Sequence, residues 1–147
     1  MFASVSLSIV AVIAAGENFT CTHTRVWDAD GPIWCAEGPR IRLHGIAARE
    51  MDGTCRPGHP CPAMGPIEAR NILVKLLQPV TLEMASAGHV TLTGAPPLSC
   101  ISYGTAKGNR TAARCATKDN KDIACELVAS SAAVEWLRYS EGRYSTC

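Results

Sequence analysis

The sequence predicts one mixed α+β domain. Its 147 residues and 47% hydrophobic content suit a single globular domain with a substantial core. Short segments rich in β-branched residues, bounded by Gly, Pro and Asp, predict strands on both sides of a segment with helical periodicity. The order of strands, helix, strands and helix is compatible with a small five-stranded β-barrel of the OB type that carries two to three helices.

Three strands are predicted in the first third of the chain. Residues 19–27 are rich in Thr, Val and aromatic residues, and they end at a turn over residues 28–32 where Asp, Gly and Pro cluster. A short strand follows at Ile33–Cys35. In the third strand, residues 40–46, Ile41 and Leu43 alternate with Arg42 and His44. This alternation places the aliphatic side chains in the core and Arg42 on the accessible face.

A long loop and a helix follow. Residues 47–64 contain three prolines and two cysteines, which is typical of a loop that is functional or pinned. Pro66 suits the first turn of a helix, and Glu68 is favourable near the positive end of the helix dipole. The helical spacing of the following apolar residues predicts one buried stripe: Ile67, Ile72, Leu73, Leu76 and Leu77.

The last third predicts further strands, a second helix and a tail. Residues 79–84 and 89–93 have strand character, and residues 98–103 and 111–116 form a hairpin around a turn at residues 104–108. Residues 122–133 predict the second helix. The tail, residues 136–147, is expected to dock through Trp136, Leu137 and Tyr139.

The cysteine content predicts disulfides. Eight cysteines without a Cys-x-x-Cys pair favour disulfides over a metal site. A Cys55–Cys61 bond would pin the turn-rich loop between them, and Cys100 and Cys115 lie symmetrically about the hairpin turn, as facing residues would. By elimination, the remaining pairs are Cys21–Cys35 and Cys125–Cys147.

Export is predicted from the N-terminus. Residues 4–15 are almost wholly apolar or small, and small residues at Ala14, Ala15 and Gly16 suit cleavage, although no Lys or Arg precedes them. Residues 1–16 are therefore interpreted as a signal or export segment, and residues 17–147 as a domain that is periplasmic or secreted. The alternatives are a short buried N-terminal strand and a wrongly placed start.

The net charge of +1 provides no general field for a polyanion, so a local basic cluster would be needed, and no long basic run exists.

Three motifs carry candidate chemistry. They are Asp28-Ala29-Asp30-Gly31, the segment from Arg42 to Glu50, and Gly108-Asn109-Arg110. In this order they resemble the active-site segments of staphylococcal-nuclease-like (thermonuclease) domains. The resemblance spans most of residues 19–144 and implies Asp30 as a metal ligand. It also implies Arg42 and Arg110 as phosphate-binding residues, and Glu50 as the group that orients or deprotonates water.

The chain departs from that family pattern at several positions. Ala47 stands where the family has a second metal-binding Asp, Arg49 replaces a Pro, and Gly31 replaces a Thr. Because ligand charge controls affinity for hard cations, calcium is expected to bind weakly or not at all. Arg49 could lower the need for a metal or repel one, and Asp28 or Asp52 could serve as a substitute ligand.

The leading hypothesis is an exported nuclease with nucleic acid as its substrate and little sequence preference. It would be a monomer without a stable protein partner, and without membrane attachment after signal cleavage. The alternative is a catalytically degenerate module of the same fold that binds nucleic acid or another extended ligand. A third hypothesis is a cysteine-rich envelope protein with no nucleic-acid role.

Overall fold

The structure is a computed structural model that describes residues 11–77, 88–93 and 96–147. Within these residues the chain forms nine strands and three helices, which confirms the α+β class. The strands are β1 (Asn18–Cys21), β2 (His23–Val26), β3 (Ile33–Cys35), β4 (Arg40–Leu43), β5 (Ile46–Ala47), β6 (Val90–Thr91), β7 (Leu98–Ala106), β8 (Arg110–Ala116) and β9 (Val134–Glu135). The helices are α1 (Pro66–Leu77), α2 (Ile123–Ala129) and α3 (Leu137–Ser140).

Seven of these strands form one curled sheet in the order β1-β7-β8-β4-β3-β2-β6. Only Thr22 separates β1 from β2, yet β1 ends the sheet on one side and β2 is next to its other end. The sheet must therefore curl until its two edges approach each other. Strands β5 and β9 form a separate antiparallel pair.

The predicted strands are present with altered limits. Residues 19–27 correspond to β1 and β2, and residues 40–46 are divided by a turn into β4 and β5. Of residues 89–93, only Val90–Thr91 forms a strand, β6, which pairs with β2. The predicted strand at 79–84 lies outside the described residues. Most of the predicted export segment also lies outside the described residues. Within its described part, the backbone N–H of Ile13 donates a hydrogen bond to the Thr111 hydroxyl, and the Ser102 hydroxyl donates to the carbonyl oxygen of Ile13.

The hairpin of β7 and β8 is confirmed, with a tighter turn than predicted. Both strands extend to Ala106 and Arg110, and Asn109 adopts the left-handed backbone region that Asn tolerates in turns. Gly104 lies at a break in the register of the pairing. The hairpin packs beside β4, which pairs in parallel with β8. This arrangement brings the turn at residues 107–109 next to Arg40, whose side chain donates a hydrogen bond to the carbonyl oxygen of Gly108.

Helix α1 packs against the sheet with a different face from the one predicted. Leu73 and Leu77 are buried as expected, but Ile67, Ile72 and Leu76 are only half-buried. Ala69, Arg70 and Val74 occupy buried positions instead. Arg70 is tolerated there because its guanidinium donates to the carbonyl oxygen of Gly88 at 2.7 Å.

Of the three residues predicted to dock the C-terminal segment, only Trp136 anchors it to the rest of the domain. Helix α2 begins at the cap Asp122, whose side chain accepts from Cys125 N, and it ends at Ala129 rather than Ala133. Trp136 is half-buried, its ring contacts His59, and its N–H donates to the carbonyl oxygen of Gly45. Leu137 is 63% exposed and Tyr139 43% exposed, so neither of these two anchors the tail. Tyr144 and Ser140 are buried, and Glu135 accepts hydrogen bonds from Ser140, Tyr144 N and Ser145. A network of hydrogen bonds and a disulfide therefore hold this segment.

All four predicted disulfides are present: Cys21–Cys35, Cys55–Cys61, Cys100–Cys115 and Cys125–Cys147. Cys100 and Cys115 face each other in the register of β7 and β8. Four disulfides in so small a chain are characteristic of extracellular or other oxidising compartments. In the part of the chain that the structure describes, no helix has the length and apolar character needed to span a membrane.

Gly31 allows the turn after Asp30 to approach β4. Its φ of +111° is unfavourable for other residues, and an added Cβ would clash with the carbonyl oxygen of Ile41. We expect Gly31→Ala to lower the free energy of unfolding by roughly 2–4 kcal/mol, measured by urea denaturation. Gly38→Ala is the control, because Gly38 has a similar φ of +116° and no atom near an added Cβ. Equal losses in the two variants would show that the Ile41 contact is unimportant.

Candidate functional site

One cavity brings together the side chains that the three motifs selected. This charged cavity has a volume of about 410 Å³ and lies where the 28–32 turn, β4, the long loop and the β7–β8 turn meet. Asp30, Arg42, Glu50 and Arg110 all line it. The other lining residues are Trp27, Asp28, Gly31, Pro32, Arg40, Arg56, His59, Lys107 and Gly108.

Arg42 is held in place at the base of the charged cavity. Its Nη2 donates to Asp30 Oδ2 at 3.1 Å, and its Nη1 donates to the carbonyl oxygens of Leu43 and Ile46. These bonds use three of the five N–H groups of the guanidinium, which leaves Nε and one Nη2 hydrogen for a ligand. Asp30 Oδ2 also accepts from Ala48 N at 3.0 Å. The pair is mostly buried, with side-chain exposures of 14% and 12%.

Glu50 lies at the start of the long loop and pairs with Arg56. Arg56 Nε donates to Glu50 Oε1 at 2.9 Å, and the Glu50 side chain remains 29% exposed. Arg49, expected near the metal position, instead donates to the carbonyl oxygens of Pro62 and Gly53. Arg49 therefore braces the loop, while Arg56 contributes the additional positive charge to the cavity.

The β7–β8 turn supplies the opposite wall. Arg110 Nε donates to the carbonyl oxygen of Lys107 at 2.7 Å, and Arg40 Nη2 donates to the carbonyl oxygen of Gly108 at 2.6 Å. Burial, followed by repulsion from Arg42, lowers the pKa of Arg110, but a guanidinium remains charged at neutral pH. The cavity thus contains five basic side chains and three carboxyl groups.

Asp28 is the most enclosed of these carboxyl groups. The residue is 3% exposed, and its Oδ1 has no hydrogen-bond partner among the described residues. Burial and the adjacent Asp30 raise the pKa of Asp28 well above its usual range. Asp28 therefore retains its proton at pH values where an ordinary aspartate is ionised, and the positive charge of the cavity exceeds its negative charge.

Asp28→Asn should remove a pH-dependent loss of stability. Because the folded state raises the pKa of Asp28, it holds this proton more tightly than the unfolded chain, and stability falls as pH rises above about 4. The variant should match the wild type near pH 4 and become more stable at higher pH, by up to about 1.4 kcal/mol per pH unit. Urea denaturation between pH 4 and 8 measures the difference.

Asp52→Asn serves as the control for this titration. Asp52 is exposed, and hydrogen bonds from Thr54 lower its pKa. A lowered pKa contributes stability above the unfolded pKa that is lost on acidification, so this variant should change stability in the opposite direction. Parallel stability curves for Asp28→Asn and the wild type would show that Asp28 ionises normally.

A second cavity adjoins the first. This aromatic cavity has a volume of about 580 Å³ and shares Arg42, Arg56, His59, Lys107 and Arg110 with the charged cavity. Its other residues include three of the chain's six Trp and Tyr residues, namely Tyr103, Trp136 and Tyr139. Tyr103 stacks on His44 with the ring centroids 4.0 Å apart, and His59 contacts Trp136 at 4.3 Å. Burial lowers the pKa values of both histidines, which favours their uncharged form.

The donor set does not fit the hard-cation site that the family resemblance implies. Ala47 is fully buried in β5, so position 47 offers only a methyl group, and Asp28 retains its proton. Asp30 already compensates Arg42 and the N–H of Ala48. Across residues 11–77, 88–93 and 96–147, no group of three or more His, Cys, Asp or Glu residues is arranged to hold a metal. No chemical step is therefore assigned to a metal ion.

The chain was compared with protein-family models, with curated proteins and with solved structures. None of these comparisons found a match. The function is therefore inferred from the two cavities and from the motifs that line them.

Several residues of the site are not apparent from the sequence. Arg56, His59 and Lys107 line both cavities, and Arg40 lines the charged cavity, but none belongs to the three motifs. The position of Arg56 next to Cys55 was the available signal, because a residue inside a short disulfide ring has a fixed location. The basic side chains come from three separated segments, so no basic run marks them.

Proposed function

We propose that the protein is a staphylococcal-nuclease-like phosphodiesterase that hydrolyses DNA or RNA with little sequence preference. The observation that carries this proposal is the convergence of Asp30, Arg42, Glu50 and Arg110 on one cavity. These residues come from three segments that were selected by motif alone. Surface residues that share no role would not be expected to line the same cavity.

The topology supports the fold that this proposal requires. If β1 and β2 count as one bent strand, that strand pairs with β7 at one end and with β3 at the other. Together with β4 and β8, this gives a circuit of five strands, to which β6 is added at the side. A closed circuit of five strands with the ligand site on its surface is the arrangement expected of an OB-type barrel.

The chemistry assigns a separate task to each wall of the cavity. Arg42 and Arg110 would bind the non-bridging phosphate oxygens, where negative charge increases during attack. Glu50 would accept the proton of a water molecule as the water oxygen bonds to phosphorus, and the ester oxygen would depart with the electron pair of the broken bond and take a proton from solvent. Asp30 would orient the Arg42 guanidinium, because its carboxylate accepts a hydrogen bond from Arg42 Nη2.

The aromatic cavity supports a nucleic acid rather than a simple phosphate ester. Its aromatic side chains can stack on a nucleobase, and the basic residues shared with the charged cavity would lie beside the attached phosphate. A base that enters this cavity must be unpaired. Single-stranded DNA and RNA are therefore the expected substrates, with duplex DNA cleaved more slowly.

The test is a cleavage assay with the oxidised protein. Single-stranded DNA, plasmid DNA and RNA are incubated with calcium, with magnesium or manganese, and with a chelator. We expect cleavage that continues in the chelator, because the donor set lacks the anionic ligands of a hard-cation site. Arg110→Ala should lower kcat/KM by roughly 10²–10³-fold, since it removes a cation from the developing charge.

Arg114→Ala is the matched control for Arg110→Ala. Arg114 lies on the same strand, but it pairs with Asp122 and lines neither cavity. Its replacement should leave cleavage unchanged. If the folded protein binds oligonucleotides without cleaving them in any condition, the degenerate binding module becomes the better description. A strict calcium requirement would contradict the expected metal independence.

A further inference from the structure

Arg56 occupies a position that the three motifs do not predict. It lines both the charged cavity and the aromatic cavity, so it lies at their junction. Its Nε donates to Glu50 Oε1 at 2.9 Å, which uses one of its five N–H groups. The remaining N–H groups are available to bind a second anion, and Glu50 has a second carboxylate oxygen for water.

The loop around Arg56 is fixed from several directions. The Cys55–Cys61 disulfide closes it, with 5.7 Å between the two Cα atoms. The Arg49 guanidinium donates hydrogen bonds to the carbonyl oxygens of both Gly53 and Pro62, and the His59 ring contacts the Trp136 ring. The exposed Glu50–Arg56 pair by itself contributes little to stability. The bracing therefore fixes the backbone from which the Arg56 side chain reaches Glu50.

A cation beside Glu50 would add to the stabilisation that Arg42 and Arg110 give to a bound phosphate. A divalent ion would ordinarily supply that charge, but Ala47 is buried and Asp30 is engaged by Arg42 and Ala48. A guanidinium provides positive charge without anionic ligands, and its planar fork matches two phosphate oxygens. Among the basic residues of the cavity, Arg56 is the one paired directly with Glu50.

We propose that Arg56, held by the Cys55–Cys61 loop, binds the reacting phosphate and supplies the charge that a divalent cation provides in related sites. This inference rests on the proposed phosphodiesterase function. In the reaction, the proton of water passes to Glu50 and the water oxygen bonds to phosphorus. The phosphorus–ester oxygen bond breaks with its electron pair on the departing ester oxygen, which takes a proton from solvent water, and Arg56 neutralises charge without exchanging a proton.

The first experiment measures cleavage of single-stranded DNA in chelator by the wild type, Arg56→Ala and Arg56→Lys. Arg56→Ala should reduce kcat/KM by roughly 10²–10³-fold, and Arg56→Lys should recover part of that loss. Added guanidinium ions should restore activity to Arg56→Ala but leave Arg114→Ala unchanged. If Arg56 had only a structural role, added guanidinium ions would not restore the activity of Arg56→Ala. If Arg56→Ala retains activity within about threefold of the wild type, the inference is overturned.

The second experiment tests the loop. The double variant Cys55→Ser/Cys61→Ser keeps Arg56 but releases the ring that holds it. We expect kcat/KM, measured well below the unfolding midpoint of the variant, to fall by roughly tenfold or more, since positioning is lost while the other three disulfides keep the domain folded. Unchanged kcat/KM would show that the disulfide does not position Arg56.

A binding measurement separates failure of this inference from failure of the proposed function. Affinity for a short single-stranded oligonucleotide is measured against salt concentration in the Glu50→Gln background, with and without Arg56→Ala. If Arg56 binds phosphate, Arg56→Ala should weaken binding and reduce the salt slope by about one. If the wild type cleaves nothing, the phosphodiesterase proposal fails, and this result still decides whether Arg56 binds phosphate. Equal affinities and slopes would overturn the inference.

Discussion

Replacing Glu50 with glutamine is expected to slow hydrolysis of single-stranded DNA by roughly 10²–10⁴-fold. Glutamine has nearly the same shape as glutamate, and its amide oxygen can still accept the hydrogen bond from Arg56 Nε. The loop should therefore stay in place, while the group that accepts the proton of water is lost. The loss should appear in kcat, because Glu50 acts on the attacking water rather than on the bound nucleic acid.

Two measurements establish that this loss is chemical. The thermal unfolding midpoint of Glu50→Gln should remain close to that of the wild type, since the Glu50–Arg56 pair is exposed. Oligonucleotide affinity should be equal or higher, because a negative charge has been removed beside the phosphate site. Retention of wild-type kcat would mean that another group activates the water, and Glu50 would then be only the partner of Arg56.

The disulfides and the hairpin could be predicted because they depend on local spacing. Cys100 and Cys115 are equally distant from one turn, and facing positions on a hairpin meet across the strands. Cys55 and Cys61 flank a loop rich in turn-forming residues, which reverses the chain and brings the two cysteines together. Once these two pairs were fixed, few arrangements remained for the other four cysteines. The alternation in β4 likewise placed Arg42 on the cavity side.

The features that were missed depend on tertiary packing. Apolar periodicity marks α1 as a helix, but its packing buries Arg70 and leaves Ile67 half-buried. The buried Arg70 is accommodated because its guanidinium donates to the carbonyl oxygen of Gly88. Two of the three residues predicted to dock the tail, Leu137 and Tyr139, are exposed, and Glu135 anchors the tail through hydrogen bonds instead. No sequence period reports such bonds.

The basic cluster shows the same limit at the candidate site. A net charge of +1 and the lack of a basic run gave no sign that further basic residues join Arg42 and Arg110 at the site. Arg40, Arg56 and Lys107 become neighbours only when β4, the disulfide loop and the β7–β8 turn meet at one edge. A nearly neutral chain can therefore build a strongly positive cavity if its carboxylates are placed elsewhere or kept protonated, as for Asp28.

Asp30→Ala is expected to be among the most destabilising substitutions in the chain. Asp30 compensates the mostly buried Arg42 guanidinium and the N–H of Ala48, so alanine leaves a buried charge and a buried donor without this partner. Removing one member of such a pair costs about 3–5 kcal/mol. Urea denaturation should show this loss. Asp30→Asn should lose less, because its amide oxygen can still accept from Ala48 N.

The same two variants distinguish a partner of Arg42 from a metal ligand. If Asp30 mainly binds a cation, calcium should raise the unfolding midpoint of the wild type but not of Asp30→Asn, since a ligand stabilises only the state that binds it. If Asp30 mainly orients Arg42, calcium should leave both midpoints unchanged, and Asp30→Asn should reduce cleavage in chelator. We expect the second result, because Asp30 Oδ2 already accepts from both Arg42 and Ala48 and position 47 offers no second carboxylate.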